Sequence, residues 1–204
     1  MTNSFVSNVR QAGAVISRLA VEDATSLPLL PADAMPELLA AAAALPFRTG
    51  RHEIGSGAVQ VRQDFDICMA PPKPGALWDL AARLEAYLAL ALGALPPPPL
   101  IGPLRLNDLV VQRYPPGSIG ITAHRDHVRY TGLVALILLS GDGRFFVSET
   151  RSGNGAREIL WRPGELLLMR APGFAGRDDR PFHYLSDITS ERYSLGLRHD
   201  TQPG

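Results

Sequence analysis

From Leu106 to the C-terminus the chain is a succession of short apolar runs cut by turn residues, and this pattern narrows the fold more than any other feature. NDLVVQRY (107–114), LVALILLS (133–140), RFFVSE (144–149), REILW (157–161), ELLLMR (165–170) and ERYSLGLR (191–198) read as strands. PPGS (115–118), GDG (141–143), RSGNGA (151–156), RPG (162–164) and APGFAG (171–176) carry the glycine and proline chemistry of turns. Six short strands at this spacing predict a sandwich or barrel. GDG, set between an apolar run and RFFV, predicts a hairpin.

The N-terminal half has a different character. SFVSNVRQAGAVISRLAV (4–21) predicts one or two strands that extend the sheet. Asp33 as a capping residue, Pro36 and a run of leucine and alanine predict a helix over 34–45, ended by Pro46. In HEIGSGAVQVRQDFDICM (52–69), Val59, Val61, Phe65 and Ile67 alternate with Gln60, Arg62, Asp64 and Asp66, the period of a single strand with one polar face. ALWDLAARLEAYLALALG (76–93) places Leu77, Leu80, Leu84, Tyr87, Leu88 and Ala91 at helical spacing, with Gly93 as its C-cap. Four prolines at 96–99 form a stiff connection. The expected fold class is mainly β with flanking helices (α+β), organised as a single domain over 1–204. Residues 1–100 form a helical extension able to act as a substrate lid, and 105–199 form the core barrel.

A chain of 204 residues suffices for one well-buried core. With 20 basic and 20 acidic residues, the net charge is zero, which disfavours a dedicated nucleic-acid binder. Nineteen of the basic residues are arginine, and Lys73 is the lone lysine. The one cysteine, Cys68, allows no intrachain disulfide and fits a cytoplasmic location. The apolar runs fall short of the roughly 18 residues needed to span a membrane. Neither an internal repeat nor a signal-peptide pattern is present.

The chemistry gathers in two stretches. QRYPPGSIGITAHRD (112–126) holds His124 and Asp126 two residues apart, a spacing that points both side chains to one face of an extended strand. FHYLSDITSERYSLGLR (182–198) holds His183, which follows Asp126 by 57 residues, room for several intervening strands. Two histidines and one carboxylate form the facial triad that grips non-haem iron(II) and leaves coordination positions open. Arg192 and Arg198, six apart, share one strand face, and two arginines turned inward need anionic partners. A dicarboxylate co-substrate supplies them.

The order of these motifs is similar to that of the AlkB-like iron(II)/2-oxoglutarate dioxygenases. Tyr114-Pro115-Pro116-Gly117 stands ahead of H-x-D as that family's Y-x-x-G segment does, ELLLMRAPG resembles its strand before the distal histidine, and RYSLGLR resembles its R-x-N-x-T-x-R strand. The likeness covers roughly 105–199. It implies a double-stranded β-helix (jelly-roll or cupin-like barrel), with His124, Asp126 and His183 on Fe(II). It also implies that Arg192 binds the far carboxylate of 2-oxoglutarate with help from Tyr114, and that Arg198 lies near the keto-acid end. Gln112 and Ser194 stand where the family carries asparagine and keep its hydrogen-bonding capacity.

The implied activity consumes O2 and couples decarboxylation of 2-oxoglutarate to hydroxylation of a C–H bond. The family's repair members carry a further acidic residue shortly after H-x-D, where this chain has His127, Val128 and Arg129. No aromatic-rich lid for a flipped base is evident in the N-terminal half. The expected substrate is therefore a small molecule, an amino acid or natural-product intermediate, contacted by Arg62, Asp64, Arg129 and Tyr130. Oxidative dealkylation of nucleic-acid bases is the alternative enzyme reading, and a non-catalytic cupin-like binding protein is the second alternative. Oligomeric state is not encoded in any motif.

Overall fold

The computed structural model describes residues 5–202, arranged as two facing antiparallel sheets with helices packed on one of them. The helices are α1 (Val9–Ile16), α2 (Leu19–Glu22), α3 (Met35–Ala43) and α4 (Ala76–Gly93). Thirteen strands follow in chain order. They are β1 (Ala24–Pro28), β2 (Arg48–Thr49), β3 (Glu53–Ile54), β4 (Val61–Asp64), β5 (Asp66–Cys68), β6 (Asp108–Tyr114), β7 (Gly120–His124), β8 (Tyr130–Ser140), β9 (Arg144–Ser148), β10 (Arg157–Ile159), β11 (Glu165–Arg170), β12 (Phe182–Ser186) and β13 (Arg192–Asp200). The larger sheet runs β1-β11-β8-β13-β6-β5-β2 and the smaller β10-β9-β12-β7-β4-β3. This is the double-stranded β-helix.

Period-two alternation sorts the larger sheet's side chains into two cores. On β8, Leu133, Ala135, Ile137 and Leu139 face outward, beneath Leu80, Leu84 and Leu88 of α4 and Ile16 of α1. Val134 and Leu138 of the same strand face inward with Leu167, Met169, Phe145 and Leu185. Each fully buried leucine contributes about 1.5–3 kcal/mol of transfer free energy, so the helical layer is part of the fold's stability. Among the described residues no helix is long and apolar enough to cross a membrane.

Several local expectations need correction. Residues 9–16 and 19–22 are helical, and among the described residues up to 30 only Ala24–Pro28 is a strand. The missed signal was a capping box, in which Asn8 accepts from the Gln11 amide and Gln11 accepts from the Asn8 amide. Residue 4, where the expected strand segment began, lies outside the described residues. Asp33 does not cap α3 but sits in a 3-10 turn ahead of it, and Gly93 is the last residue of α4, with Ala94 as its C-cap.

The alternating stretch is not one strand. Residues 57–59 form a 3-10 turn, β4 joins the smaller sheet beside β7, and β5 joins the larger beside β6. Phe65, buried between them, is the point at which the chain changes sheets.

GDG is a corner between sheets rather than a hairpin, because β8 pairs with β11 and β13 while β9 pairs with β10 and β12. Gly141 takes φ +83°, and a Cβ there would stand 2.5 Å from the Glu191 carbonyl oxygen. The tight-turn chemistry was real, but its glycine serves close passage of another segment.

Candidate metal centre

His124 ends β7, Asp126 follows in the loop, and His183 lies on the neighbouring β12. The pairing of these strands explains the aim of His124. His183 faces His124 and Leu185 faces Ile121, so a two-residue step on β12 matches a three-residue step on β7, and the resulting bulge turns both Ile121 and His124 inward. Gly120 opens this strand at φ +75°, where a Cβ would fall 2.0 Å from the Leu185 carbonyl oxygen. Only glycine lets β7 approach β12 this closely.

One ligand atom from each of His124, Asp126 and His183 lies within 4.8 Å of the others. The imidazole centroids are 4.2 Å apart, and Phe145 stacks on His183 at 5.8 Å. His124 Nδ1 is 3.0 Å from the Thr122 carbonyl and His183 Nδ1 is 3.4 Å from that of Pro181. With Nδ1 protonated and donating to these carbonyls, each Nε2 keeps its lone pair for a metal.

Burial, reinforced by His183 nearby, pushes the His124 pKa down to about 3, and burial also lowers that of His183. Burial alone would raise Asp126, but Arg198 and the two histidines hold its carboxyl below the ordinary range. Two neutral imidazoles beside a carboxylate make a donor set suited to a divalent cation.

A cavity beside the triad is lined by Gln112, Tyr114, Trp161, Ser194 and Arg198, among others. Cross-strand pairing builds its polar wall, because β13 sets Arg192 opposite Tyr114, Ser194 opposite Gln112 and Arg198 opposite Asp108 on β6. Arg192 is fully buried, donates from Nη1 to the Asp142 carbonyl at 2.8 Å, and lies 4.6 Å over the Trp161 ring. Its Nε and Nη2 are buried with no hydrogen-bond partner. Burial draws its pKa down to about 10, partly offset by Tyr114 and Asp142.

Arg198 is differently placed, 3.8 Å from Asp126 and 3.4 Å from Asp108. It is thus already near two carboxylates, whereas Arg192 has none and keeps two buried donors without a partner. Desolvation pushes the Tyr114 phenol pKa up, which keeps it a neutral hydrogen-bond donor.

The expected substrate contacts are not gathered in this cavity. Arg62 is exposed on β4, tied through its backbone N–H to Thr122, and Asp64 is half-buried with its carbonyl accepting from Ser118. Arg129 pairs with Asp200 at 3.2 Å and donates to the Tyr130 hydroxyl. The Tyr130 ring lies 5.0 Å from the guanidinium carbon of Arg198, which puts it at the edge of the centre. Sequence reasoning missed Trp161, which lines the cavity, lies under the Arg192 guanidinium and donates from Nε1 to the Glu165 carbonyl. A tryptophan just ahead of a Pro-Gly turn and an apolar strand was the available signal.

Fold and site together define a double-stranded β-helix with a two-histidine, one-carboxylate centre. No family model and no curated protein matches the sequence. Solved structures share its fold. A prolyl hydroxylase in complex with a hypoxia inducible factor oxygen degradation domain peptide fragment, from Trichoplax adhaerens, superposes with a TM-score of 0.69 at 16% identity, over 95% of this chain and 90% of that one. An oxidoreductase of the 2OG-Fe(II) oxygenase family from Burkholderia pseudomallei gives a TM-score of 0.67 at 16% identity, over 95% and 92%. The non-haem alpha ketoglutarate dependent epimerase SnoN from nogalamycin biosynthesis gives 0.64 at 19% identity, over 92% and 81%.

Proposed function

We propose that this chain is an Fe(II)- and 2-oxoglutarate-dependent dioxygenase that oxidises a C–H bond of a small molecule. One observation carries the reading. Three metal-ligand atoms converge within 4.8 Å beside a fully buried arginine that has two unpartnered donors. A binding barrel without redox chemistry has no need of both.

His124, Asp126 and His183 would hold the metal. Arg192, aided by Tyr114, would hold the distal carboxylate of the keto acid, with Gln112 and Ser194 along the same wall. Iron(II) held there would supply the activation of O2, with 2-oxoglutarate as the reductant: one oxygen atom would go into succinate as CO2 is released and the other to the substrate C–H bond. The protein orients both carboxylate ends and excludes water with Ile121, Leu136, Phe145 and Leu185.

Within this class, the Y-x-x-G, H-x-D and R-x-x-x-x-x-R order supports kinship with the AlkB-like enzymes. The chain acts as one domain over 1–204, with residues 1–100 as its extension and lid. Its buried, unpaired Cys68 suits a reducing compartment such as the cytoplasm. The role of SnoN in nogalamycin biosynthesis supports a small-molecule substrate, as does the neutral chain.

The test is succinate formation with Fe(II), 2-oxoglutarate and ascorbate, comparing wild type with Asp126→Ala, alone and with metabolites or methylated single-stranded DNA. Metabolite stimulation is expected. Stimulation by methylated DNA alone would return the dealkylase alternative, and equal, background succinate in both proteins would refute oxygenase chemistry.

A further inference from the structure

Asp108 opens β6 and stands opposite Arg198 in the register of β6 with β13. Among the described residues its one ion-pair partner is Arg198, whose Nη1 donates to Asp108 Oδ2 at 3.4 Å. The same guanidinium approaches the candidate metal ligand Asp126 from the other side. There Nε stops 3.8 Å from Asp126 Oδ2, beyond hydrogen-bonding distance. That Nε is buried and has no hydrogen-bond partner. A buried donor this close to a carboxylate gains by closing the gap, so a contact elsewhere must hold it back.

The other neighbours of the guanidinium do not hold it. Its carbon lies 5.0 Å from the Tyr130 ring centroid, a stacking contact that leaves the group free to slide. Gly196 shares the strand face of Arg198, and a Cβ there would stand 3.1 Å from Nη1, so the bare glycine makes the room in which the guanidinium lies. The hydrogen bond to Asp108 is thus what sets the position of Arg198 between the two carboxylates. Asp108 itself does not line the cavity. A carboxylate oxygen that accepts from an arginine has less electron density to offer a cation, so the gap at Asp126 matters to metal binding.

We propose that Asp108 is a positioning residue for the metal centre: by drawing Arg198 toward β6 it keeps the guanidinium off Asp126 and leaves that carboxylate open to the metal. This rests on the metal-centre reading above and adds to it a residue that touches neither metal nor substrate.

The experiment is a double-mutant cycle on the full chain, read as Mn(II) affinity by electron paramagnetic resonance of the free ion. In D108N, Arg198 is left with Asp126 as its one carboxylate, and Mn(II) affinity should fall about tenfold. R198Q removes the group that would close on Asp126, so adding D108N to R198Q should change affinity by less than about twofold. D108E, which keeps the charge, should recover part of the loss. D108S repeats the test with a smaller neutral side chain, and thermal melts of the metal-free proteins show which variants are folded.

Unchanged Mn(II) affinity in D108N and D108S would overturn the proposal while leaving the metal centre standing. So would an equal loss with and without Arg198, which would make Asp108 a distant charge or a structural residue. If wild type binds no Mn(II), the metal-centre reading fails first and the proposal with it.

Discussion

Arg180 donates from Nη1 to the backbone carbonyl of Asp126 across 2.6 Å. The bond joins the loop before β12 to the residue whose carboxylate belongs to the candidate metal centre. That loop is anchored at its other end by buried Arg170, which pairs with Asp23 and Asp179 at 2.6 Å each. Outer groups that orient metal ligands typically contribute 10–100-fold to affinity. Arg180→Ala should weaken Mn(II) or Fe(II) binding by about that factor, measured by metal titration, with the thermal midpoint of the metal-free protein little changed.

Arg192 should show opposite effects in two assays. Its buried, incompletely paired charge is costly without an anion, so Arg192→Leu should leave the midpoint of the metal- and ligand-free protein unchanged or raise it. The same variant should lose the stabilisation that 2-oxoglutarate and Mn(II) together confer on wild type. Thermal melts with and without both ligands would check this. A large loss of stability without ligand would mean that Arg192 is balanced within the fold.

Asp142 links acid stability to the same strand. Its carboxylate accepts from the Thr189 hydroxyl and from the Thr189 and Ser190 amides, which together hold its pKa at about 2, below the ordinary 3.8. The folded state binds the proton less readily than the unfolded state. This contribution is therefore full above pH 3.8 and is lost as the pH falls through about 2. Asp142→Asn should cost about 1 kcal/mol at neutral pH and flatten the stability profile across that window, measured by denaturant titration.

Gly120→Ala should be severe. A methyl group would enter the Leu185 carbonyl, and φ +75° disfavours any side chain. Strain of this kind costs about 1–3 kcal/mol before the clash is relieved by moving β7. The expected outcome is reduced stability together with weakened metal binding, because His124 travels with the strand.

The convergence of the candidate metal ligands was legible because it depends on residue type and short spacing. His124 and Asp126 are two apart, and His183 falls just ahead of the arginine strand. β6, β8, β11 and β13 were legible as well, since their runs are long and apolar. What escaped depended on partners. GDG signals a tight turn whether the next strand folds back or crosses to the other sheet. Alternation through Asp64 and Asp66 continues smoothly although Phe65 carries the chain from one sheet to the other. The bulge that aims His124 exists only in the register between β7 and β12. α1 was readable from Asn8 and Gln11, but its valines and isoleucine suggested a strand.

The crossing at Phe65 has a consequence for how the molecule can be divided. β1 borders β11, β5 borders β6, and β4 borders β7, so the first hundred residues seal three of the four margins of the two sheets. A fragment starting at residue 105 would keep every metal ligand yet bare the backbone donors and acceptors of β11, β6 and β7. Such a fragment would be a template for strand-by-strand polymerisation, and the extension serves as the barrel's built-in guard against self-association.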